Sequence, residues 1–112
     1  MGVLNIEKNR EEDKVIYNLS GRLDTQSSPD FQDDLDLTFE QSEKEHNNHI
    51  DLVLDFSNLE YMSSAGLRTI LYAKKQVDSM ESSSIEVINV VPEVMEVFSM
   101  TGFTDFLTIK AK

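Results

Sequence analysis

Two adjacent hydroxyls, Ser63 and Ser64, stand where an apolar segment hands over to a helical one. They are the residues of this chain best placed to do chemistry. Upstream, Ile50-Asp51-Leu52-Val53-Leu54-Asp55-Phe56 reads as a buried strand of a parallel sheet. A helical pattern begins at about Ala65, so the pair lies at the carboxyl end of a central strand. Open α/β sheets keep their working residues there. The unpaired N–H groups of a helix start also favour added negative charge. A phosphate on Ser63 or Ser64 is therefore compatible with the fold and open to a partner. One serine of such a pair can equally be a plain helix cap. The two roles coexist if Ser63 caps and Ser64 faces outward from the first turn.

Other constellations carry less. Ser64 resembles a nucleophile elbow only in its strand-to-helix setting, because Met62 and Gly66 do not supply the G-x-S-x-G frame. The only histidines, His46 and His49, lie before the strand and so belong at the opposite, amino-terminal edge of the sheet. Their spacing suits a metal, but Lys44-Glu45-His46-Asn47-Asn48-His49 reads as a solvated turn with no third ligand in sight. The carboxylates Glu11-Glu12-Asp13 and Asp33-Asp34 read as solvated surface, without the burial that shifts an acid's pKa. Four glycines spread along the chain make no phosphate loop. Neither catalysis, nor a metal, nor a cofactor is expected.

The chain has 112 residues, enough for one domain (1–112) with its own core. There is no cysteine, hence no disulfide framework and no thiolate metal site, which fits a reducing cytoplasm. No apolar run approaches the roughly 20 residues that span a bilayer. The start, Met1-Gly2-Val3-Leu4-Asn5-Ile6-Glu7, is not a signal peptide, and Ile6 spoils a myristoylation signal at Gly2. Asp and Glu number 21 against 10 Lys and Arg, a net charge of −11. That balance opposes binding to nucleic acid or to anionic membrane. It suits solubility, or a partner with a basic face.

The elements that must position the serines follow from periodicity. Leu4 and Ile6, then Val15, Tyr17 and Leu19, alternate with polar residues around the polar segment Asn9 to Lys14, a hairpin signal. Gly21 is expected to break the second strand. Ser28-Pro29 reads as a cap followed by proline at the first helical position. Phe31, Leu35, Thr38 and Phe39 follow at helical spacing, and Ser42 to His49 returns the chain to the sheet. After the central strand, Leu67, Ile70, Leu71 and Val77 form an inner stripe, with Lys74 running its stem along the edge. Ser82-Ser83-Ser84 leads to a strand at Ile85–Val90. Pro92 opens a third helix, with Val94, Val97 and Phe98 inward and Gly102 at its C′ position. Phe103, Phe106, Leu107 and Ile109 suggest a last strand or a packed tail.

The order is ββαβαβα with a possible final β, an α/β domain whose mixed sheet is mostly parallel after the hairpin and is covered by helices. If strands two and three are parallel neighbours, Asp24 of Gly21-Arg22-Leu23-Asp24-Thr25 ends beside Ser64, unless it is only a turn carboxylate. Gly66 either lets a partner approach closely or relaxes the strand-to-helix bend.

Together these residues resemble STAS domains, specifically the bacterial anti-sigma-factor antagonists, over nearly the whole chain. Gly21-Arg22-Leu23-Asp24 is similar to that family's motif after its second strand. Leu52-Val53-Leu54-Asp55-Phe56, with Tyr61-Met62-Ser63-Ser64-Ala65-Gly66-Leu67-Arg68, is similar to its central strand and phosphorylation loop. Pro92-Glu93-Val94 with Phe98 and Gly102-Phe103 matches its third helix and exit. The complete apolar pattern, without a ligand cluster, leads to the expectation of a monomer, and the resemblance implies a cytoplasmic partner-switching regulator. Such a protein binds an anti-sigma factor which is also an ATP-dependent serine kinase, and so frees a sigma factor. The kinase phosphorylates the loop serine, aligned with Ser64 (Ser63 being the alternative), and a serine phosphatase reverses it. The implied partner-binding residues are Asp24, Ser63, Ser64, Ala65, Gly66 and Arg68. Many founding members carry Asp where this chain has Ser63. The same domain also serves as a scaffold or as an accessory subunit of signalling and transport complexes, which is the alternative reading.

Overall fold

The computed structural model describes residues 3–112, so the Gly2 reading lies outside it. Five strands, β1 (Leu4–Glu11), β2 (Lys14–Leu23), β3 (Asp51–Met62), β4 (Ser84–Val90) and β5 (Thr108–Ala111), lie side by side in chain order. β1 and β2 are antiparallel, and the remaining pairs are parallel. Between them run α1 (Ser28–Glu45), α2 (Ser64–Asp78) and α3 (Pro92–Met100), and a single 3₁₀ turn at Phe103–Asp105 precedes β5. Right-handed crossovers that always step the same way across a sheet leave every helix on one face.

Side-chain alternation agrees. Tyr17, Leu54, Val87 and Ile109 form a cross-strand row. The Tyr17 ring meets Phe31 of α1 edge-on, with centroids 5.3 Å apart, and its hydroxyl bonds Thr38 Oγ1 at 2.6 Å. Two residues beyond Leu54, Phe56 stacks on Phe98 of α3 at 6.2 Å. α2 closes the layer with Ile70, Ala73 and Val77 buried, while Leu71 sits only half-buried at its edge. Val97 likewise lies at the rim of the core. Lys74 binds Asp78 at 2.8 Å.

Several boundaries differ from expectation. The segment Asn9 to Lys14 is mostly strand, turning only at Glu12-Asp13, because Arg10 has work in the fold: it donates to Ser42 Oγ at 2.9 Å. Ser42 is a buried residue of α1, which runs on to Glu45. Gly21 bends β2 without ending it. At φ 97° it sits at a register shift, where an added Cβ would clash with the Val3 carbonyl oxygen. Ser28 does not cap α1. It is the first helical residue, Ser27 precedes it without a side-chain cap bond, and the buried Ser28 hydroxyl has no partner among the described residues. The last strand is real, though only Thr108–Ala111.

β3 is also longer than its apolar run. It continues for 12 residues to Met62, but β4 pairs with it only from Asp51 to Asp55. From Ser57 onward β3 is paired with β2 alone, and past the end of the β1 pairing at Gly21 only Arg22-Leu23 and Tyr61-Met62 run on as a short two-stranded projection. Ser63 and Ser64 sit at its tip.

Candidate functional site

The tip is held at one joint. Ser63 N–H donates to the Leu23 carbonyl at 2.9 Å, tying the start of α2 to the end of β2. Ser63 is extended (φ −91°, ψ 177°), so its hydroxyl reaches the Gly66 N–H at 3.4 Å while its carbonyl accepts from Leu67 N–H at 2.9 Å. Those are the bonds of an N-cap. Ser64 is the first residue of α2, exposed, and its hydroxyl bonds nothing among the described residues. Ser63 thus caps and Ser64 faces solvent, the arrangement in which the two roles coexist.

The parallel β2–β3 pairing brings Asp24 to the same edge. Its carboxylate accepts from the Ser27 N–H at 3.1 Å, the Ser27 hydroxyl at 3.1 Å and the Gln26 N–H at 3.1 Å. The Ser27 N–H above all, then its hydroxyl, the Gln26 N–H and nearby Arg22, hold the Asp24 carboxyl below its ordinary pKa. The turn-carboxylate reading of Asp24 is therefore true, and compatible with a half-buried acid at the rim of the site.

Gly66 is buried, and what approaches it closely is the protein itself. A Cβ there would stand 2.7 Å from the Leu23 carbonyl oxygen and 2.8 Å from Leu23 Cγ. The expectation that its missing side chain makes room for a partner gives way to an internal packing reason. Ala65 is half-buried and faces a cavity of about 240 Å³ shared with Thr25, Ser28, Gln32, Asp33 and Thr69. Arg68 is exposed.

One feature escaped the sequence reading. Arg22 and Tyr61 are cross-strand partners, and the guanidinium lies 4.1 Å from the ring centre and 3.7 Å from Asp24 Oδ2. The pairing depends on a second register shift in β2, between Gly21 and Arg22, which no periodicity announces. Beside it a broader hollow of about 510 Å³ is lined by Ser20, Gly21, Asn58, Glu60 and Glu93.

At the opposite edge the histidines are more ordered than a solvated turn. His46 Nδ1 lies 3.1 Å from Asp13 Oδ1, and His49 Nε2 lies 3.5 Å from Asp51 Oδ2. Among the described residues no three such side chains converge on a metal position. The sheet separates these imidazoles from Ser64, so no histidine can serve it as base. Among the described residues no helix is long and apolar enough to cross a membrane.

The family model of the STAS domain matches residues 5–112. The chain belongs to the STAS domain family. Among curated STAS relatives, the anti-sigma-B factor antagonist of Bacillus subtilis is 26% identical over 109 residues, covering 97% of this chain and 93% of that protein. The anti-sigma F factor antagonist of Paenibacillus polymyxa is 29% identical over 106 residues, covering 95% and 86%. Among solved structures, the Bacillus cell fate determinant SpoIIAA in its phosphorylated form aligns with a TM-score of 0.69 at 17% identity, over 96% of this chain and 90% of that one. At that identity the likeness is one of fold, and the STAS element order expected from sequence is the one observed.

Proposed function

We propose that this STAS domain is a partner-switching antagonist: unmodified, it binds an anti-sigma factor that is also an ATP-dependent serine kinase, and phosphorylation of Ser64 releases it. The observation that carries the reading is the division of labour at the tip, where Ser63 caps α2 and leaves Ser64 exposed and unbonded. The antagonist names of two relatives that align along nearly the whole chain support the partner class. A phosphorylated form of the structural relative SpoIIAA supports the modification.

In the forward step the Ser64 hydroxyl oxygen attacks the γ-phosphorus of ATP, ADP leaves, and the hydroxyl proton passes to a base on the kinase. A serine phosphatase hydrolyses the ester in the reverse step. Asp24, Ser63, Ala65 and Arg68 border the exposed hydroxyl and are the docking rim, Gly66 supporting it from beneath. A phosphate adds roughly −1.5 to −2 charge at neutral pH. The start of α2 tolerates it, whereas a partner seated over Ser64 with carboxylates or acceptors facing it meets both a clash and repulsion. A coupling of about 3 kcal/mol lowers affinity by more than a hundredfold.

The test uses the cognate kinase. Ser64→Ala binds it and cannot be released by ATP, while Ser64→Asp binds at least tenfold more weakly and melts normally. Mass spectrometry after incubation with ATP finds phosphate on Ser64. Phosphate on Ser63 alone reverses the two roles. Phosphate on neither serine leaves a scaffold or accessory subunit.

A further inference from the structure

We propose that Arg68 is the internal counter-ion of a phosphate on Ser64, so that modification withdraws a free cation from the docking rim in the same event that adds an anion. The inference rests on the reading of Ser64 as the modified serine and names the group of this chain that receives the phosphate.

Ser64 and Arg68 are four residues apart on α2, and both are exposed, whereas Gly66, Leu67 and Thr69 are buried. Residues at this spacing lie one above the other on a helix, about 5–6 Å apart at Cβ. Helical side chains lean toward the N-terminus, so the long arm of Arg68 covers the turn that begins at Ser64. A guanidinium meets phosphate oxygens through paired N–H bonds, where an ammonium offers only a point charge.

Arg68 is also unengaged. The chain has three arginines. Arg10 donates to Ser42 Oγ and the Thr38 carbonyl, and Arg22 is held between Asp24 and the Tyr61 ring. Arg68 has no hydrogen bond and no ion pair among the described residues, although acids outnumber bases 21 to 10. The first acidic residue along α2 is Asp78, already bound by Lys74. The other charges toward this end of α2 come from the end of β2 and the turn after it (Arg22 with Asp24), from β3 (Glu60) and from α1 (Asp33, on the cavity that Ala65 lines). Three of those four are acids and oppose a phosphate. The helix offers it only the Ser64 and Ala65 N–H groups, since Ser63 already occupies those of Gly66 and Leu67. Arg68 supplies the missing positive charge.

The test needs no kinase. Phosphoserine is installed at position 64 by genetic-code expansion, and its phosphorus resonance is titrated in the intact chain, in Arg68→Gln and in Arg68→Lys. A cation one turn away lowers the second phosphate pKa, ordinarily about 6, by roughly half a unit in the exposed setting of a helix surface. Arg68→Gln raises it back by that amount, Arg68→Lys restores part of the shift, and 1 M salt removes it. The Arg68 Nε–H resonance moves on phosphorylation while those of Arg10 and Arg22 stay in place. Equal phosphate pKa values in the three proteins, with an unmoved Arg68 resonance, overturn the pairing. A kinase that ignores Ser64 would sink the switch reading yet leave this titration intact, so the two failures are distinguishable.

Discussion

Helices α1 and α2 each open on a pair of serines, Ser27-Ser28 and Ser63-Ser64, and the pairs behave in opposite ways. Ser63 is extended at ψ 177°, so its hydroxyl swings back over the first turn and caps it. Ser27 is already helical at ψ −22° and its hydroxyl turns away, donating to the Arg22 carbonyl at 2.8 Å and accepting from the Asp24 N–H at 2.9 Å. The second serines differ as sharply. Ser28 is 5% exposed with an unsatisfied hydroxyl, and Ser64 is solvent-facing. Residue type and position before a helix are the same in both places. Backbone conformation at the preceding residue decides which hydroxyl caps, and the projection of β3 beyond the sheet decides which one a partner can reach.

The largest expected effect lies under the second pair. Gly66→Ala forces a Cβ against the Leu23 carbonyl and side chain, where neither the β2 backbone nor the core has room to give. Overpacking of that kind costs about 1–3 kcal/mol, and thermal or urea unfolding measures it. Because the strain falls on the Ser63–Leu23 joint, partner affinity should fall together with stability. A variant that melts like the parent but fails to bind would restore the idea of a direct contact through Gly66.

The serine pairs themselves give smaller and opposite changes. Ser63→Ala removes a long cap bond and should cost about 1 kcal/mol or less. Ser28→Ala removes a buried hydroxyl with no partner, so it should be neutral or stabilising, by up to about 1 kcal/mol. Measured side by side by urea unfolding, the two alanines must differ in sign or at least clearly in size. Equal losses would mean that Ser28 has a partner, such as a buried water, and the contrast between the helix starts would disappear.

The sequence carried the element order, the parallel central strand and the third helix's Gly102 exit, because each leaves a periodic or single-residue signal. It also offered the Ser63–Ser64 division as one way for a cap and an outward hydroxyl to coexist, which is the geometry seen at the start of α2. Strand ends were less legible. Asn9 to Glu11 are polar because they lie in an edge strand, and in Asn58 to Tyr61 only Leu59 is buried, so both stretches read as loop. The Arg22–Tyr61 stack was hidden for a further reason: it depends on register between strands separated by all of α1. Ser28 was misread because proline at the next position fits a cap, yet fits the second residue of a helix just as well. Gly66 has a negative-φ helical backbone, so its reason lies in Leu23, 43 positions away along the chain, which no local pattern could name.

The smallest effect belongs to Asp24, which links the two serine pairs by anchoring Ser27 on the edge that Ser63 joins. Its folded pKa is lowered, chiefly by the Ser27 N–H. A carboxyl of that kind contributes stability above its unfolded pKa, near 3.9, and loses the contribution as pH falls through the lower folded value. Unfolding midpoints measured from pH 7 downward should therefore show a shallow acid limb beginning at about pH 4. Asp24→Asn keeps an oxygen for the N–H donors but cannot titrate, so it should start less stable at pH 7, lose less on acidification and converge with the parent at low pH. The Ser63 cap has no charge to lose and should be insensitive over the same range, so Ser63→Ala should track the parent at a constant offset. If Asp24→Asn retains the full acid limb, the carboxylate is not what orders the Ser27 turn. The Ser27 hydroxyl bond to Arg22 would then hold the first serine pair alone.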